Sequence, residues 1–186
     1  MKVLTPKFRA SYPNVFKAVS NKLSKKMEYS VVALFPKGAD LSGLKKAAKD
    51  ACIEKWGADE TKWPKNLESP FKDQGDRAKD GVLPQGYEKG AIYMNLKNKN
   101  KPGVVDQNVQ PIIDESEFYP GCWAIASVNC FAWDYEGVKF GVSFGLNNIQ
   151  KVKDGEPFSG RTKAEDDFAP VATEDGETAQ SAESLF

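Results

Sequence analysis

The chain has 186 residues, of which 40% are hydrophobic and 28% charged, a globular composition long enough for one domain with its own core or for two very small ones. With no histidine and three cysteines, it cannot form a Ser-His-Asp or Cys-His catalytic group, and the cysteines are too few and too widely spaced for a zinc site. The 26 basic and 26 acidic residues cancel, which taken alone argues against a nucleic-acid-binding protein.

Two strands are predicted in the first 40 residues. Residues 4–12 alternate in polarity and place three residues on one face: Phe8, Ala10 and Tyr12. Residues 28–35 (EYSVVALF) are rich in β-branched and aromatic residues and run into a Pro-Lys-Gly turn. Both patterns are typical of strands with one face in a core.

One helix is predicted between these strands and the next. It begins at Asp40 or Ser42 and ends at Gly57, with apolar residues at helical spacing: Leu41, Leu44, Ala48, Cys52 and Trp56. Residues 58–90 combine prolines, glycines and charges without a clear period. We interpret them as a long surface excursion.

The second half of the chain returns to strand patterns. Residues 90–97 alternate, 104–105 form a short strand, and 114–119 form one helical turn. The two longest strand candidates are 122–133 and 138–152, joined by a short hairpin connection. Short strands with one interposed helix and one long excursion predict a mainly β fold, a small antiparallel barrel.

Few residues could carry catalysis, and we predict no catalytic residue, metal ligand or cofactor. The acidic residues nearest to a cluster are interpreted as loop carboxylates and helix caps: Asp106, Asp114, Glu115 and Glu117. Residues 141–145 (GVSFG) match the GxSxG nucleophile motif, but they lie inside a predicted strand of a chain without histidine. We therefore treat that match as accidental.

The strand at 122–133 carries the clearest binding signal. One face is small and apolar, with Cys122, Ala124, Ala126, Val128, Cys130 and Ala132, and the other carries Trp123, Phe131 and Trp133 among smaller residues. Small residues suit the inside of a tightly curved barrel, which leaves the aromatic face outside, where single-stranded nucleic acid could stack on it. The reverse arrangement, with the aromatic residues in the core, is equally compatible with the sequence.

A second strand repeats this combination. Tyr93, Asn95 and Lys97 share a face, and the loop that follows bears Lys99 and Lys101. Lysines there could neutralise phosphates while the tyrosine stacks on a base. The first strand offers a further basic residue, Arg9, close to an aromatic one.

The acidic residues are unevenly distributed. Residues 164–186 contain seven acidic residues and no basic one, whereas residues 1–163 carry 26 basic and 19 acidic residues, a net charge of +7. The tail has few apolar residues but ends in Leu185-Phe186. We expect a disordered acidic tail that docks on a partner or folds back over a basic groove.

Four segments resemble a family of phage-encoded single-stranded DNA-binding proteins (SSBs), once known only as a domain of unknown function: RASYPNVF (9–16), NKNKPGVVD (98–106), EFYPGCWAIASVN (117–129) and GLNNIQKVKDGEPFSGRTKAEDDF (145–168). The resemblance implies an OB-fold barrel over residues 1–163 that coats single-stranded DNA in phage replication, recombination or repair.

The tail of residues 164–186 also resembles the tails of podovirus and bacterial SSBs, which recruit replication enzymes and compete with DNA. The tail residues that this resemblance singles out are Asp166, Asp167, Phe168, Leu185 and Phe186. The tail here is sparser in acidic residues than those tails.

The hypothesis is a non-enzymatic protein that binds single-stranded DNA independently of sequence in the cytoplasm of a bacterial host. Its partners would be single-stranded DNA and phage replication proteins, with no membrane contact, and a homodimer stays open. The first seven residues have no apolar signal core and no apolar run is long enough for a membrane span, so we expect neither a leader nor a span. An odd number of cysteines suits a reducing compartment. The alternatives are an RNA-binding or annealing protein and a protein-interaction adaptor. A nuclease is a more distant alternative.

Overall fold

Nine β-strands and one α-helix are found in the described part of the chain, residues 2–159 and 167–171 of a computed structural model. In chain order these are β1 (Lys2–Leu4), β2 (Phe8–Ser20), β3 (Met27–Leu34), α1 (Ser42–Trp56), β4 (Leu67–Glu68), β5 (Lys72–Asp73), β6 (Ile92–Asn98), β7 (Gly103–Val105), β8 (Trp123–Tyr135) and β9 (Lys139–Lys153). Short 3₁₀ turns occupy Glu60–Lys62, Gln74–Arg77 and Glu115–Glu117. No helix in this part of the chain is both long enough and apolar enough to cross a bilayer.

Five of the strands close into a barrel. β2 pairs with β3, β3 with β6, β6 with β9, β9 with β8, and β8 again with β2. Every pairing in this ring is antiparallel except the one between β6 and β9, which is parallel. A five-stranded, partly open barrel of this kind is the OB fold, so the predicted fold class is confirmed.

The barrel interior is built from small residues on one strand and large ones on the others. Four inward residues at the start of β8 and just before it are almost completely buried: Cys122, Ala124, Ala126 and Val128. The space that they leave is filled by Phe8 and Phe35, whose rings pack edge to face with their centroids 5.8 Å apart. α1 packs against β8 and β1, burying Leu44, and it ends as predicted at Gly57, where φ is +90°.

One predicted face in the first long strand is wrong. Tyr12 was expected beside Phe8 and Ala10, but it is 60% exposed, with a φ of +44°. The pairing with β3 shifts register between Ser11 and Asn14, so a bulge interrupts the alternation. A proline at position 13 cannot donate a ladder hydrogen bond, which is consistent with a bulge at this point.

The excursion of residues 58–90 is attached to the barrel rather than lying free on its surface. β4 pairs with β9 and β5 with β6. Gln74 is almost completely buried; its Nε2 donates to the carbonyls of Phe35 and Ile92, and its Oε1 accepts from the backbone N–H of Glu88. One side chain therefore ties the excursion to two parts of the barrel wall.

Replacement of Gln74 should loosen this attachment. We expect Gln74→Ala to lower the free energy of unfolding by about 1–3 kcal/mol for each buried polar group left unpaired. Urea unfolding followed by circular dichroism measures this loss. Gln107→Ala, which removes an exposed amide, is the control and should leave the midpoint unchanged. Equal midpoints for the two variants would contradict the assigned role of Gln74.

Candidate nucleic-acid interface

A groove of about 780 Å³ runs along the outer face of the barrel. Its walls come from the β2–β3 hairpin, from β6, from the β8–β9 hairpin and from the segment around β4 and β5. The residues that matter most for its chemistry are Lys26, Lys72, Asn95, Lys97, Lys99, Asn129, Phe131, Trp133, Ser143 and Asn147. The groove thus combines basic, amide and aromatic side chains.

The aromatic part of the groove depends on glycines in the neighbouring strand. Trp133 lies opposite Gly141 in the β8–β9 register, and an added Cβ at Gly141 would lie 2.5 Å from the indole ring. The indole Nε1 donates to the Ser143 hydroxyl at 2.9 Å. Phe131 lies near Gly145 and is 48% exposed. The GVSFG segment therefore supports two aromatic rings, which gives this sequence a packing role.

Four lysines supply the positive charge of the groove. Lys97 and Lys99 line it as the sequence suggested, and the structure adds Lys26 and Lys72. None of the four takes part in a salt bridge within the described residues, and the acidic side chains lining the groove are Glu28 and Glu68. The ammonium groups of the four lysines are thus available to phosphates. Lys101 does not line the groove.

Sequence reasoning missed Lys26 and Lys72 for different reasons. Lys26 belongs to a lysine-rich turn between two predicted strands, and that enrichment was a usable signal. Lys72 lies in β5, opposite Tyr93 on β6, in a stretch with no sequence period. Only the pairing of β5 with β6 brings Lys72 to the groove.

Amide side chains add neutral hydrogen-bonding groups beside the aromatic rings. Asn129 donates through Nδ2 to Oδ1 of Asn147 at 3.1 Å, close to Phe131 in the register of β8 and β9. Neutral donors and acceptors at this position can bond to bases or sugars without adding charge.

Tyr93 is more deeply buried than the sequence predicts. Its side chain is only 6% exposed because the excursion covers it, and it packs with Val32, Leu34 and Tyr87. The guanidinium of Arg77 lies 4.8 Å from the centre of its ring. In this structure Arg77, rather than a base, covers that ring.

Arg9 and Trp123 lie together but do not line this groove. The Arg9 guanidinium lies 5.8 Å from the Trp123 ring and 4.5 Å from the Phe158 ring, and it donates to the carbonyls of Gly121 and Glu156. These contacts hold the segment that follows β9 against the barrel. Arg9 is thus engaged in a packing contact rather than aimed into the groove.

The possible catalytic groups have structural roles. Burial raises the pKa of Cys122 to about 11 and that of Cys130 to about 12, so both thiols stay protonated near neutral pH. Asp114 caps a 3₁₀ turn, and its hydrogen bonds to Ser116 lower its pKa. Asp106 accepts from two backbone N–H groups of its own turn. Within residues 2–159 and 167–171, no three Cys, Asp or Glu side chains are grouped as metal ligands.

The tail positions are only partly described. Asp167 and Phe168 are exposed, and neither lines the groove. Asp166, Leu185 and Phe186 lie outside the described residues. The proposed boundary at residue 163 also falls outside them.

Comparison with known proteins gives one family and several related structures. The family model described as the ssDNA-binding protein of Enterobacter phage Enc34 matches residues 1–179. Putative protein p50 of Acyrthosiphon pisum secondary endosymbiont phage 1 is 27% identical over 169 residues, covering 86% of this chain and 88% of p50.

Two solved structures share the fold. The single-stranded DNA-binding protein from bacteriophage Enc34, in complex with ssDNA, has a TM-score of 0.65 at 18% identity, covering 85% of this chain and 89% of that one. The single-stranded DNA-binding protein gp2.5 of bacteriophage T7 has a TM-score of 0.53 at 15% identity, covering 87% and 97%.

The glycine support of Trp133 can be tested by adding one methyl group. We expect Gly141→Ala to push the indole away and to lower the free energy of unfolding by about 1–3 kcal/mol, the usual cost of overpacking. Urea unfolding measures the loss, and near-UV circular dichroism reports the altered tryptophan environment.

Gly43→Ala is the matched control, because a Cβ there meets no atom within 4 Å and the residue lies in α1. It should be neutral or stabilising. If Gly141→Ala behaves like Gly43→Ala, Trp133 does not require the glycine.

Proposed function

Because the chain belongs to the family of the Enterobacter phage Enc34 ssDNA-binding protein, we propose that it binds single-stranded DNA and coats it without requiring a sequence. The observation that carries the proposal is the groove on one face of the OB barrel. It combines an exposed aromatic side chain with four lysines that make no salt bridge to any carboxylate in residues 2–159 and 167–171. In OB folds this face and its adjoining loops are the usual site for oligonucleotides.

Binding would combine stacking with charge neutralisation. Phe131 and Trp133 would stack on bases, each contributing about 1–3 kcal/mol, and every base offers a ring face for this contact. Lys97 and Lys99, with Lys26, would contact phosphates and release counterions. No step needs a metal ion or a bond-breaking group, which fits a binding protein.

The acidic tail would regulate this binding. Residues 164–186 carry seven acidic residues, and the rest of the chain has a net charge of +7. A tethered polyanion can compete with DNA for the same lysines, and its aromatic and acidic residues (Asp166, Asp167, Phe168, Leu185 and Phe186) would recruit replication or recombination proteins. We propose that it does so in the cytoplasm of the phage's bacterial host.

The DNA-binding proposal is tested by titrating labelled oligo-dT at several salt concentrations. We expect log K to fall linearly with log salt, with a slope of about −0.7 for each phosphate neutralised. Phe131→Ala should weaken binding about 5- to 150-fold, the equivalent of one lost stacking contact. Tyr135→Ala removes an exposed aromatic side chain of β8 outside the groove and should leave affinity unchanged.

Lysine variants separate the groove from the surrounding surface. Lys97→Ala should reduce the magnitude of the salt slope by about 0.7, whereas Lys101→Ala should not. Wild-type protein that shows neither oligo-dT binding nor a salt slope would refute the proposal. Tighter binding to a matched RNA oligomer would instead support the RNA-binding alternative.

Removal of the tail tests its regulatory role. We expect the chain truncated after residue 163 to bind oligo-dT more tightly than the full chain at low salt, because the competing polyanion is gone. The difference should shrink as salt rises, since both interactions are screened. Equal or weaker binding by the truncated chain would refute competition and leave recruitment as the role of the tail.

A further inference from the structure

Arg77 occupies an unusual position for a basic residue in a surface excursion. Its guanidinium lies 4.8 Å from the centre of the Tyr93 ring, and Nη2 donates to Oδ1 of Asn95 at 3.3 Å. It makes no salt bridge with a carboxylate within the described residues. The side chain is therefore held in place by a ring and an amide while its charge stays uncompensated.

This position lies beside the groove, at the next outward position of β6 after Asn95; neither Arg77 nor Tyr93 lines the groove itself. Tyr93, Asn95 and Lys97 share one face of the strand, about 7 Å apart from one to the next. Asn95 and Lys97 line the groove, as does Lys72, which is paired with Tyr93. Arg77 covers Tyr93 at the next step along this line.

A guanidinium can take over from the ring that it covers as the surface on which a base stacks. It is flat, permanently charged and weakly hydrated, so a base can stack on its plane as it would on an aromatic ring. Because the side chain is only half-buried, part of it remains accessible. Stacking on Tyr93 and bonding to Asn95 restrict its motion before any ligand arrives, which reduces the entropy lost on binding.

A second aromatic residue adjoins the same place. Tyr87 packs in one buried cluster with Tyr93, and its hydroxyl lies 2.9 Å from the Ser11 hydroxyl. Burial raises the pKa of Tyr87.

We infer that Arg77, stacked on Tyr93, forms a second base-binding subsite at the end of the groove beyond Asn95. Its ligand is a nucleobase of single-stranded DNA whose neighbours occupy the Lys97 and Phe131 part of the groove. The inference rests on the proposed DNA-binding function and adds a contact that neither the sequence pattern nor the exposed aromatic residues indicated.

The test compares oligo-dT with an oligomer of equal length that carries a stable abasic analogue at every position. Arg77→Ala should weaken oligo-dT binding about tenfold, as expected for one stacking contact, and should weaken abasic binding much less. Arg77→Lys keeps the charge and loses the plane, so it should lose most of the oligo-dT affinity while keeping the wild-type salt slope.

Lys79→Ala is the matched control, because it removes an exposed charge two residues away on the same excursion. It should change affinity for both oligomers little and equally. Thermal unfolding of each variant checks that the excursion stays attached, and the Arg77→Lys comparison remains informative even if the alanine variant is destabilised.

Two outcomes would overturn the inference while leaving DNA binding intact. One is wild-type affinity of Arg77→Lys for oligo-dT, which would make Arg77 a simple charge. The other is an equal loss by Arg77→Ala on both oligomers, which would make it a phosphate contact. Failure of the wild-type chain to bind oligo-dT at all would instead reject the proposed function itself.

Discussion

The alternation of side chains along β8 is the constraint on which both the core and the groove depend. Its inward residues are small, so the barrel can close tightly and take Phe8 and Phe35 from other elements into the space that remains. The same alternation turns Phe131 and Trp133 outward. Outward aromatic rings need a surface on which to lie, and the glycines of β9 provide it. Core packing and the binding surface therefore arise from one sequence pattern.

This dependence explains which parts were predictable from the sequence. A strand that alternates small and aromatic residues separates its two faces locally, so the shared face of Phe131 and Trp133 could be anticipated, whereas the same pattern left open whether that face lies inside or outside the barrel. The parallel pairing of β6 with β9 and the attachment of β5 involve residues far apart in the chain, and no local period indicates them. Tyr93 was misjudged for that reason: its alternation was interpreted correctly, but the covering excursion comes from elsewhere.

Arg9 and Arg77 differ in their contacts from the lysines that line the groove. Arg9 and Arg77 both lie over aromatic rings and donate hydrogen bonds to fixed acceptors. Among the residues that the structure describes, the lysines that lie over aromatic rings are Lys151 and Lys153, and neither of them lines the groove. A planar guanidinium gains from a ring that orients it, whereas a compact ammonium on a flexible stem can follow a phosphate backbone. Basic residues that carry the same charge thus differ in the contacts that their side chains make.

A net charge of zero has little meaning for a chain with this arrangement. The field that a ligand meets is set by the charges near the groove, where four lysines face two glutamates, and not by the sum over the chain. The position of the chain after β9 also matters. Arg9 contacts Phe158 and the carbonyl of Glu156, and these contacts hold the last residues before position 160 against the barrel. In the proposed competition, the acidic segment would be tethered to this anchor, so its local concentration at the groove would depend on the length of chain between the two. Arg9, which does not line the groove, would then influence that competition through the anchor.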